Sequence, residues 1–195
     1  MPYQDILPVT ANTLSGFERV KTDAIRTSFL EGREFRIYKE LNIAPGATYV
    51  IKTTVPVDTV LFGLEVGIES GHLRLGTYVF GTEGGTFSET LPVFNVNIME
   101  RTDNRRRNSK GWLYENQVTL TAGGTHTGGF ELDVIRLKAA NTTAQSQSVG
   151  NAPQDERGAS PGVYYFRLLN LSNNDAITGV LRARWEERPL GFFLT

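Results

Sequence analysis

The stretch GVYYFRLLNLSNNDAITGVLRARWEE, residues 162–187, carries the clearest structural signal in the chain. Its two halves, GVYYFRLLNL and AITGVLRARWEE, are rich in the β-branched, aromatic and alternating apolar residues that favour strands. Between them stands SNND, a cluster of turn-forming residues. The pattern therefore predicts a β-hairpin close to the C-terminus.

The same pattern extends back towards the N-terminus as far as Phe35. Roughly nine or ten short apolar runs, separated by turns such as APGAT and ESGH, lie between Phe35 and Arg188, with no strong helical period and no heptad. This pattern predicts an all-β fold, an antiparallel β-sandwich of jelly-roll type. In the run TVLFGLEVGI, one alternating row is predicted to face the core: Val60, Phe62, Leu64, Val66 and Ile68.

The chain divides into three parts by pattern. Residues 1–34 are predicted to form an N-terminal arm or a short helix, residues 35–188 the β-sandwich domain, and residues 189–195 a C-terminal tail. Residues 139–162 are polar and are predicted to be a long linker inside the sandwich domain.

Two interpretations of the N-terminal part remain open. In LSGFERVKTDAIRTSFLEG, Ser15 and Glu18 have capping-box spacing, and Gly32 would end the helix that follows. The alternation of Val20, Thr22 and Ala24 with polar neighbours fits an extended arm equally well.

The composition limits the functional class. Charged residues make up 21% of the chain and its formal net charge is −1, which argues against a surface built wholly for nucleic acid or for an anionic membrane. The absence of cysteine excludes disulfides, thiolate metal sites and cysteine nucleophiles. The first residues lack the features of a signal peptide, and no run reaches the ~18 apolar residues of a spanning helix. We therefore expect no membrane partner.

The stretch TAGGTHTGG has the glycine spacing of a phosphate-binding loop, because Gly123 and Gly128 match the glycines of G-x-x-x-x-G-K-[ST]. A glycine and a phenylalanine follow where that motif has Lys and Ser/Thr. The flanking runs predict strands, whereas a phosphate loop needs a helix after it. We therefore predict a flexible loop between two strands, with His126 solvated at its tip. The other glycine-rich turn, GTEGGT, resembles it in composition only.

No set of residues predicts catalysis, a cofactor or a metal site. The two histidines, His72 and His126, have neither HxH nor HExxH spacing, and no serine lies in a G-x-S-x-G elbow. A pair of carboxylates acting as in glycosidases stays open as an alternative, although nothing in the sequence selects two of them. We expect a protein that is not an enzyme.

The best candidate for a binding surface is the basic run in ERTDNRRRNSKG, next to Trp112. Basic and aromatic side chains together suit a protein interface or single-stranded nucleic acid, and a solvated loop is the alternative. Because no nucleic-acid-binding motif accompanies the run, we expect an acidic protein surface as the partner and no nucleic acid. The Phe-Phe pair in LGFFLT either anchors an interface or closes the sandwich. The candidate interface residues are Arg105, Arg106, Arg107, Lys110, Trp112, Phe192 and Phe193.

Four segments carry a resemblance to a known class of proteins: FLEGREFRIYKELNIAPGATYVIKTTVP, GTEGGTFSETLPVFNVNIM, TLTAGGTHTGGFELDVIR and ERGASPGVYYFRLLNLSNNDAITGVLRARWEER. Together they resemble small structural proteins of tailed-bacteriophage virions, through the order of glycine-rich turns and the closing R-W-E-E-R strand. The resemblance implies a β-sandwich accessory protein located in the virion, such as a head-decoration, fibre-base or tail-associated protein. It brings no catalytic residues.

The expected function is a non-enzymatic virion component that binds neighbouring capsid, connector or tail proteins as a homo-oligomer. Within that class, a position on the capsid surface is favoured over a tail-associated or fibre-associated position. A carbohydrate-binding sandwich that reads a host receptor is the alternative from a different class, with Trp112 and Tyr114 as its only clear pair of loop aromatics.

Overall fold

The computed structural model describes residues 28–29, 31–97, 115–139, 145–149 and 157–188. Within these ranges the chain forms fourteen strands. In chain order they are β1 (Glu34–Ile43), β2 (Thr48–Val55), β3 (Asp58–Ile68), β4 (His72–Val79), β5 (Thr82–Gly84), β6 (Glu89–Thr90), β7 (Phe94–Asn95), β8 (Thr119–Ala122), β9 (Thr125–Thr127), β10 (Phe130–Lys138), β11 (Gln145–Val149), β12 (Arg157–Ala159), β13 (Gly162–Asn170) and β14 (Ile177–Arg188).

The strands form two large sheets and one small ribbon. The first sheet has the order β11-β3-β14-β1-β7, and β12 also pairs with β3. The second sheet has the order β10-β4-β13-β2-β8-β6, and β5 pairs with β9 in a separate two-stranded ribbon. All of these pairings are antiparallel. The predicted all-β antiparallel sandwich is confirmed.

The main core lies between the two sheets. Alternate residues of the long strands point inwards, and Val66 and Leu181 of the first sheet belong to the same buried cluster as Leu75 and Leu168 of the second. Burial of one such side chain contributes roughly 1.5–3 kcal/mol, so this layer is the largest source of stability. Trp185 packs within it, with its ring centroid 6.2 Å from that of Phe35.

The predicted C-terminal hairpin is wrong, although both of its strands are present. Strand β13 pairs with β2 and β4 in the second sheet, whereas β14 pairs with β1 and β3 in the first. The SNND segment therefore crosses from one sheet to the other. Turn-forming residues show that the chain reverses direction at this point. They do not show whether the next strand pairs with the previous one or joins the other sheet, because the same residues suit both connections.

A buried asparagine joins this crossing to another one. The Nδ2 of Asn170 donates to the carbonyl oxygens of Ile43, at 3.0 Å, and of Asp175, at 2.8 Å. Its Oδ1 accepts the backbone N–H of Ser172 at 2.9 Å. One side chain thus ties the end of β1 to the β13–β14 connection, at the point where both leave their sheets.

A β-bulge in β3 changes which residues reach the core. Gly63 lies opposite Arg184, whereas Leu61 lies opposite Trp185, so Phe62 is the extra residue. The Phe62 ring is half-buried and lies 5.7 Å from the guanidinium carbon of Arg184, while Leu61 packs against the core. The prediction that Phe62 faces the core is therefore wrong, because the bulge inverts the alternation at this point.

The predicted linker over residues 139–162 is also wrong in part. It contains β11 and β12, which both pair with β3 and form the edge of the first sheet. An edge strand can be held by backbone hydrogen bonds to one neighbour, so its polar sequence, QSQSV in β11, carries no apolar signal.

The described part of the N-terminal segment ends in a helix-stop motif. Gly32 has a φ of 71°; its N–H donates to the Phe29 carbonyl at 3.1 Å, and that of Arg33 donates to the Ser28 carbonyl at 2.9 Å. These two bonds form a Schellman motif, so Gly32 ends this helical turn as predicted. Residues 1–27, for which a helix or an arm was predicted, lie outside the described residues.

A buried carboxylate at the end of β14 holds the segment that leads into β8. Glu187 accepts the backbone N–H groups of Gln117, at 2.7 Å, and Val118, at 3.0 Å, and the indole N–H of Trp185 at 3.2 Å. Burial raises the pKa of Glu187, and these hydrogen bonds oppose that rise. Glu187 thus anchors the segment by accepting three donors.

We expect Glu187→Ala to lower the free energy of unfolding by about 2–5 kcal/mol, because buried N–H groups lose their acceptor. Urea denaturation monitored by circular dichroism would measure the change. The matched control is Glu65→Ala, which removes an exposed carboxylate 3.8 Å from Arg182 and should cost less than about 1 kcal/mol. Equal costs for the two variants would contradict an anchoring role for Glu187.

Candidate interaction site

The two glycine-rich turns pair with each other. Thr82 lies opposite Thr127, and Glu83 lies opposite His126, in the ribbon formed by β5 and β9. This pairing was not predicted, because a pairing between segments distant in sequence leaves no local pattern. The ribbon packs on the outer face of the second sheet through His126.

His126 is the centre of this packing. Only 4% of its surface is exposed, and its ring stacks on that of Tyr165, with 3.9 Å between centroids and 12° between planes. Its Nε2 lies 2.6 Å from the carbonyl oxygen of Phe80, so Nε2 carries the proton and donates it to that oxygen. The predicted solvated histidine at a loop tip is therefore wrong. A ring this deeply buried suits a structural role.

Three carboxylates on the peripheral strands β5, β6 and β10 each accept hydrogen bonds from a tyrosine hydroxyl and from a basic side chain of other strands. These hydrogen bonds lower the pKa of all three carboxyls. The strongest contribution comes from Lys52 at Glu83, from Lys39 at Glu89 and from Tyr78 at Glu131. Burial, reinforced by the bond to Glu83, raises the pKa of Tyr165 to about 12. The three groups are Glu83 with Tyr165 and Lys52, Glu89 with Tyr49 and Lys39, and Glu131 with Tyr78 and Arg74.

The turn that leads from β4 into the ribbon holds an exposed aromatic residue in a strained conformation. Phe80 has a φ of 60°, in the left-handed region that bulky side chains rarely adopt, and its side chain is 78% exposed. That conformation costs on the order of 1–2 kcal/mol. The bond from His126 to the Phe80 carbonyl fixes it. Strained backbone conformations that the surrounding structure holds in place are often found at functional sites, so Phe80 is a candidate functional residue.

Phe80 belongs to a larger apolar surface. Phe130, which is 66% exposed, lies opposite Val79 and therefore next to Phe80. Leu132 and Val134 of β10, the edge strand of the second sheet, are also exposed, but the bulge at Leu132 places Val134 on the other face of the sheet from Phe130. We call the surface formed by Phe80 and Phe130 the aromatic edge surface. Adjacent exposed apolar residues of this size are typical of a protein contact.

The backbone of β10 is protected against pairing with another strand. A bulge interrupts its register between Glu131 and Asp133, and the Asp133 Oδ1 accepts the N–H of Val134 at 2.8 Å. Bulges and charged side chains are known devices that blunt sheet edges. The aromatic edge surface is therefore suited to contacts through side chains rather than to strand addition.

The candidate interface residues Arg105, Arg106, Arg107, Lys110, Trp112, Phe192 and Phe193 all lie outside the described residues. Sequence reasoning missed Phe80 and Phe130. The available signal was their position, since each adjoins a glycine at the end of a strand, in VFGT and GGFE. Glycines with positive φ allow a neighbouring side chain to project outwards, as Gly81 and Gly129 do here.

The described residues hold neither a cluster of metal ligands nor a membrane-spanning helix. In those ranges no three His, Asp or Glu side chains come together as metal ligands. None of the helical segments there is long and apolar enough to cross a membrane.

No family model matches the chain, and no curated protein matches it. Among solved structures it is similar to a mutant VP2 protein of infectious bursal disease virus in derived T=1 particles. The identity is 15%, the TM-score is 0.16, and the match covers 82% of this chain and 41% of that one. At this TM-score the likeness says nothing about the fold or the function of this chain.

We expect Gly129→Ala to loosen the ribbon. Both Gly128 and Gly129 have positive φ, but only a Cβ at Gly129 would lie 2.8 Å from the Phe80 oxygen, while one at Gly128 would have no atom within 4 Å. The steric overlap between the added Cβ and the Phe80 oxygen costs roughly 1–3 kcal/mol. The free energy of opening the ribbon falls by that amount, so its amides should exchange about five- to 150-fold faster. Hydrogen–deuterium exchange measures this. Gly128→Ala is the matched control, and equal acceleration in both variants would contradict the proposed contact.

Attachment of the ribbon should weaken in acid. Hydrogen bonds in the folded state lower the pKa of Glu83 below its ordinary 4.5. The ionised carboxylate therefore stabilises the attached ribbon above pH 4.5, and this stabilisation is lost as the pH falls through the folded-state pKa. Exchange of the ribbon amides should therefore rise relative to the core between pH 6 and pH 3. The variant Glu83→Gln should flatten this dependence, while Glu65→Gln should follow the wild type. An unchanged profile in Glu83→Gln would argue against the ion pair.

Proposed function

We propose that this chain is a non-enzymatic structural component of a tailed-bacteriophage virion, an accessory or decoration protein that binds neighbouring capsid or connector proteins. The observation that carries the proposal is the strand order of the two sheets. A second observation, the aromatic edge surface, supplies a means of contact.

The strand order is nested. Each of the first four long strands pairs with a counterpart from the second half of the chain: β1 with β14, β2 with β13, β3 with β11, and β4 with β10. Folded across two sheets, this nesting gives neighbours in the order β1-β14-β3-β11 and β2-β13-β4-β10. Such an order supports the jelly-roll expectation, and jelly rolls build viral capsid domains.

The aromatic edge surface supports association with other proteins. Phe80 and Phe130 present two aromatic rings at one corner of the second sheet, and aromatic residues are enriched among those that dominate binding energy. The chain has a formal net charge of −1, so many copies can pack without strong mutual repulsion. We propose that the protein assembles as a symmetric homo-oligomer and contacts its virion neighbours through this surface.

The polar clusters favour a non-enzymatic role. The carboxylates whose pKa is lowered, Glu83, Glu89 and Glu131, each bind a tyrosine and a cation that join neighbouring strands. His126 is enclosed between the ribbon and the second sheet. These groups are engaged in holding strands together, which leaves them poorly placed to act on a substrate.

Two alternatives follow from the same observations. A tail-associated or fibre-associated position uses the same fold and surface, and we favour the capsid surface. A carbohydrate-binding protein is the alternative from another class, because lectin domains also use jelly rolls.

We expect the purified protein to form a defined oligomer in size-exclusion chromatography with light scattering, and to co-sediment with particles of the phage that encodes it. The double variant Phe80→Ser/Phe130→Ser should weaken particle binding about 30-fold or more, the loss typical of central aromatic contacts. The control is Phe94→Ser, which removes a 45%-exposed phenylalanine from β7 of the first sheet and should bind as the wild type does.

The outcomes separate the candidate functions. A protein that is monomeric and absent from purified particles would overturn the virion proposal. If the double variant bound particles as tightly as the wild type, the aromatic edge surface would not be the site of contact. Specific binding on a glycan array, lost in Trp112→Ala, would favour the carbohydrate-binding alternative.

A further inference from the structure

The sandwich contains a cavity that is separate from the aromatic edge surface and from the polar clusters described above. It has a volume of about 180 Å³ and lies between the two sheets, with walls from both of them. We infer that this cavity binds a small, neutral, mainly aromatic or aliphatic molecule that carries one hydrogen-bonding group.

The walls and the volume set the size and polarity of the ligand. Leu64 and Trp185 come from the first sheet, and Leu120 and Phe166 from the second. A cavity of about 150 Å³ lined by aliphatic and aromatic residues is known to bind benzene, so a single ring with a short substituent matches the space here. Burying such a ring removes apolar surface from water on both sides of the contact.

One polar atom in the wall calls for a hydrogen-bonding group on the ligand. Thr53 of β2 lines the cavity and is 8% exposed, and its Oγ1 is buried with no hydrogen-bond partner among the described residues. A buried hydroxyl without a partner costs on the order of 1–3 kcal/mol. A hydroxyl or carbonyl group on the ligand would relieve that cost, because a threonine hydroxyl can both donate and accept.

The charge of the lining accounts for the preference for a neutral ligand. Leu132 and Asp133 of β10 and Gly158 and Ala159 of β12 border the cavity. A Cβ built on Gly158 would meet no atom of the described residues within 4 Å, so there is open space at this border. No Lys, Arg or His stands among the described residues that line the cavity, so these residues offer a carboxylate no cationic partner. The lining therefore favours a neutral alcohol over a carboxylate.

The test compares two probes that differ by one hydroxyl group. Benzyl alcohol and toluene are titrated into the full-length protein by isothermal calorimetry, with tryptophan fluorescence as a second readout because Trp185 lines the cavity. The wild type should bind both. In Thr53→Val, which replaces the hydroxyl with a methyl group of similar size, benzyl alcohol should bind about two- to tenfold more weakly while toluene binds as well or better.

A second variant tests the location independently of the hydroxyl. Ala183→Leu adds volume to the cavity wall and should abolish binding of both probes while the protein remains folded by circular dichroism. The inference would be overturned if the wild type bound neither probe, or if Thr53→Val weakened both probes equally. Unchanged binding in folded Ala183→Leu would also overturn it, since the probes would then bind elsewhere.

Discussion

Alternation of consecutive long strands between two facing sheets is the constraint on which the rest of this structure depends. From β1 to β4, every connection crosses from one sheet to the other, and the β13–β14 connection does so again. Each strand therefore buries one face against strands that are distant in sequence. Asn170, buried and bonded to both the first and the last of these crossings, fixes them at one end of the sandwich.

The periphery of the sandwich is held by polar bonds rather than by apolar burial. The carboxylates of Glu83 and Glu89 fasten two short strands, β5 and β6, that are too small to form a core of their own, and that of Glu131 joins the edge strand β10 to β4. Glu187 does the same for the segment before β8. Because these strands are anchored, the chain can hold Phe80 in a strained conformation at the surface, and this links the polar network to the proposed contact with other proteins.

Sequence patterns located nearly all of the long strands but not their partners. FELDVIRL was predicted as a strand and forms β10, whereas TAGGTHTGG was predicted to be a flexible loop between two strands and contributes β9 to the ribbon. Alternation failed at Phe62 because of one bulge. Strand β11 was missed since backbone bonds to β3 hold it without an apolar pattern. The aromatic edge surface was not predicted, because it joins residues from two separate turns.

The sequence by itself determined the all-β class, the positions of the long strands and, apart from the bulge at Phe62, the alternation that divides inward from outward residues. These properties are local, because they depend on side-chain shape and on the period of two along a strand. Only the tertiary structure decided which strands pair, that SNND crosses between sheets, that His126 is buried and that a cavity remains beside Thr53. Those properties arise from contacts between distant segments, and the same turn and strand patterns are compatible with several such arrangements.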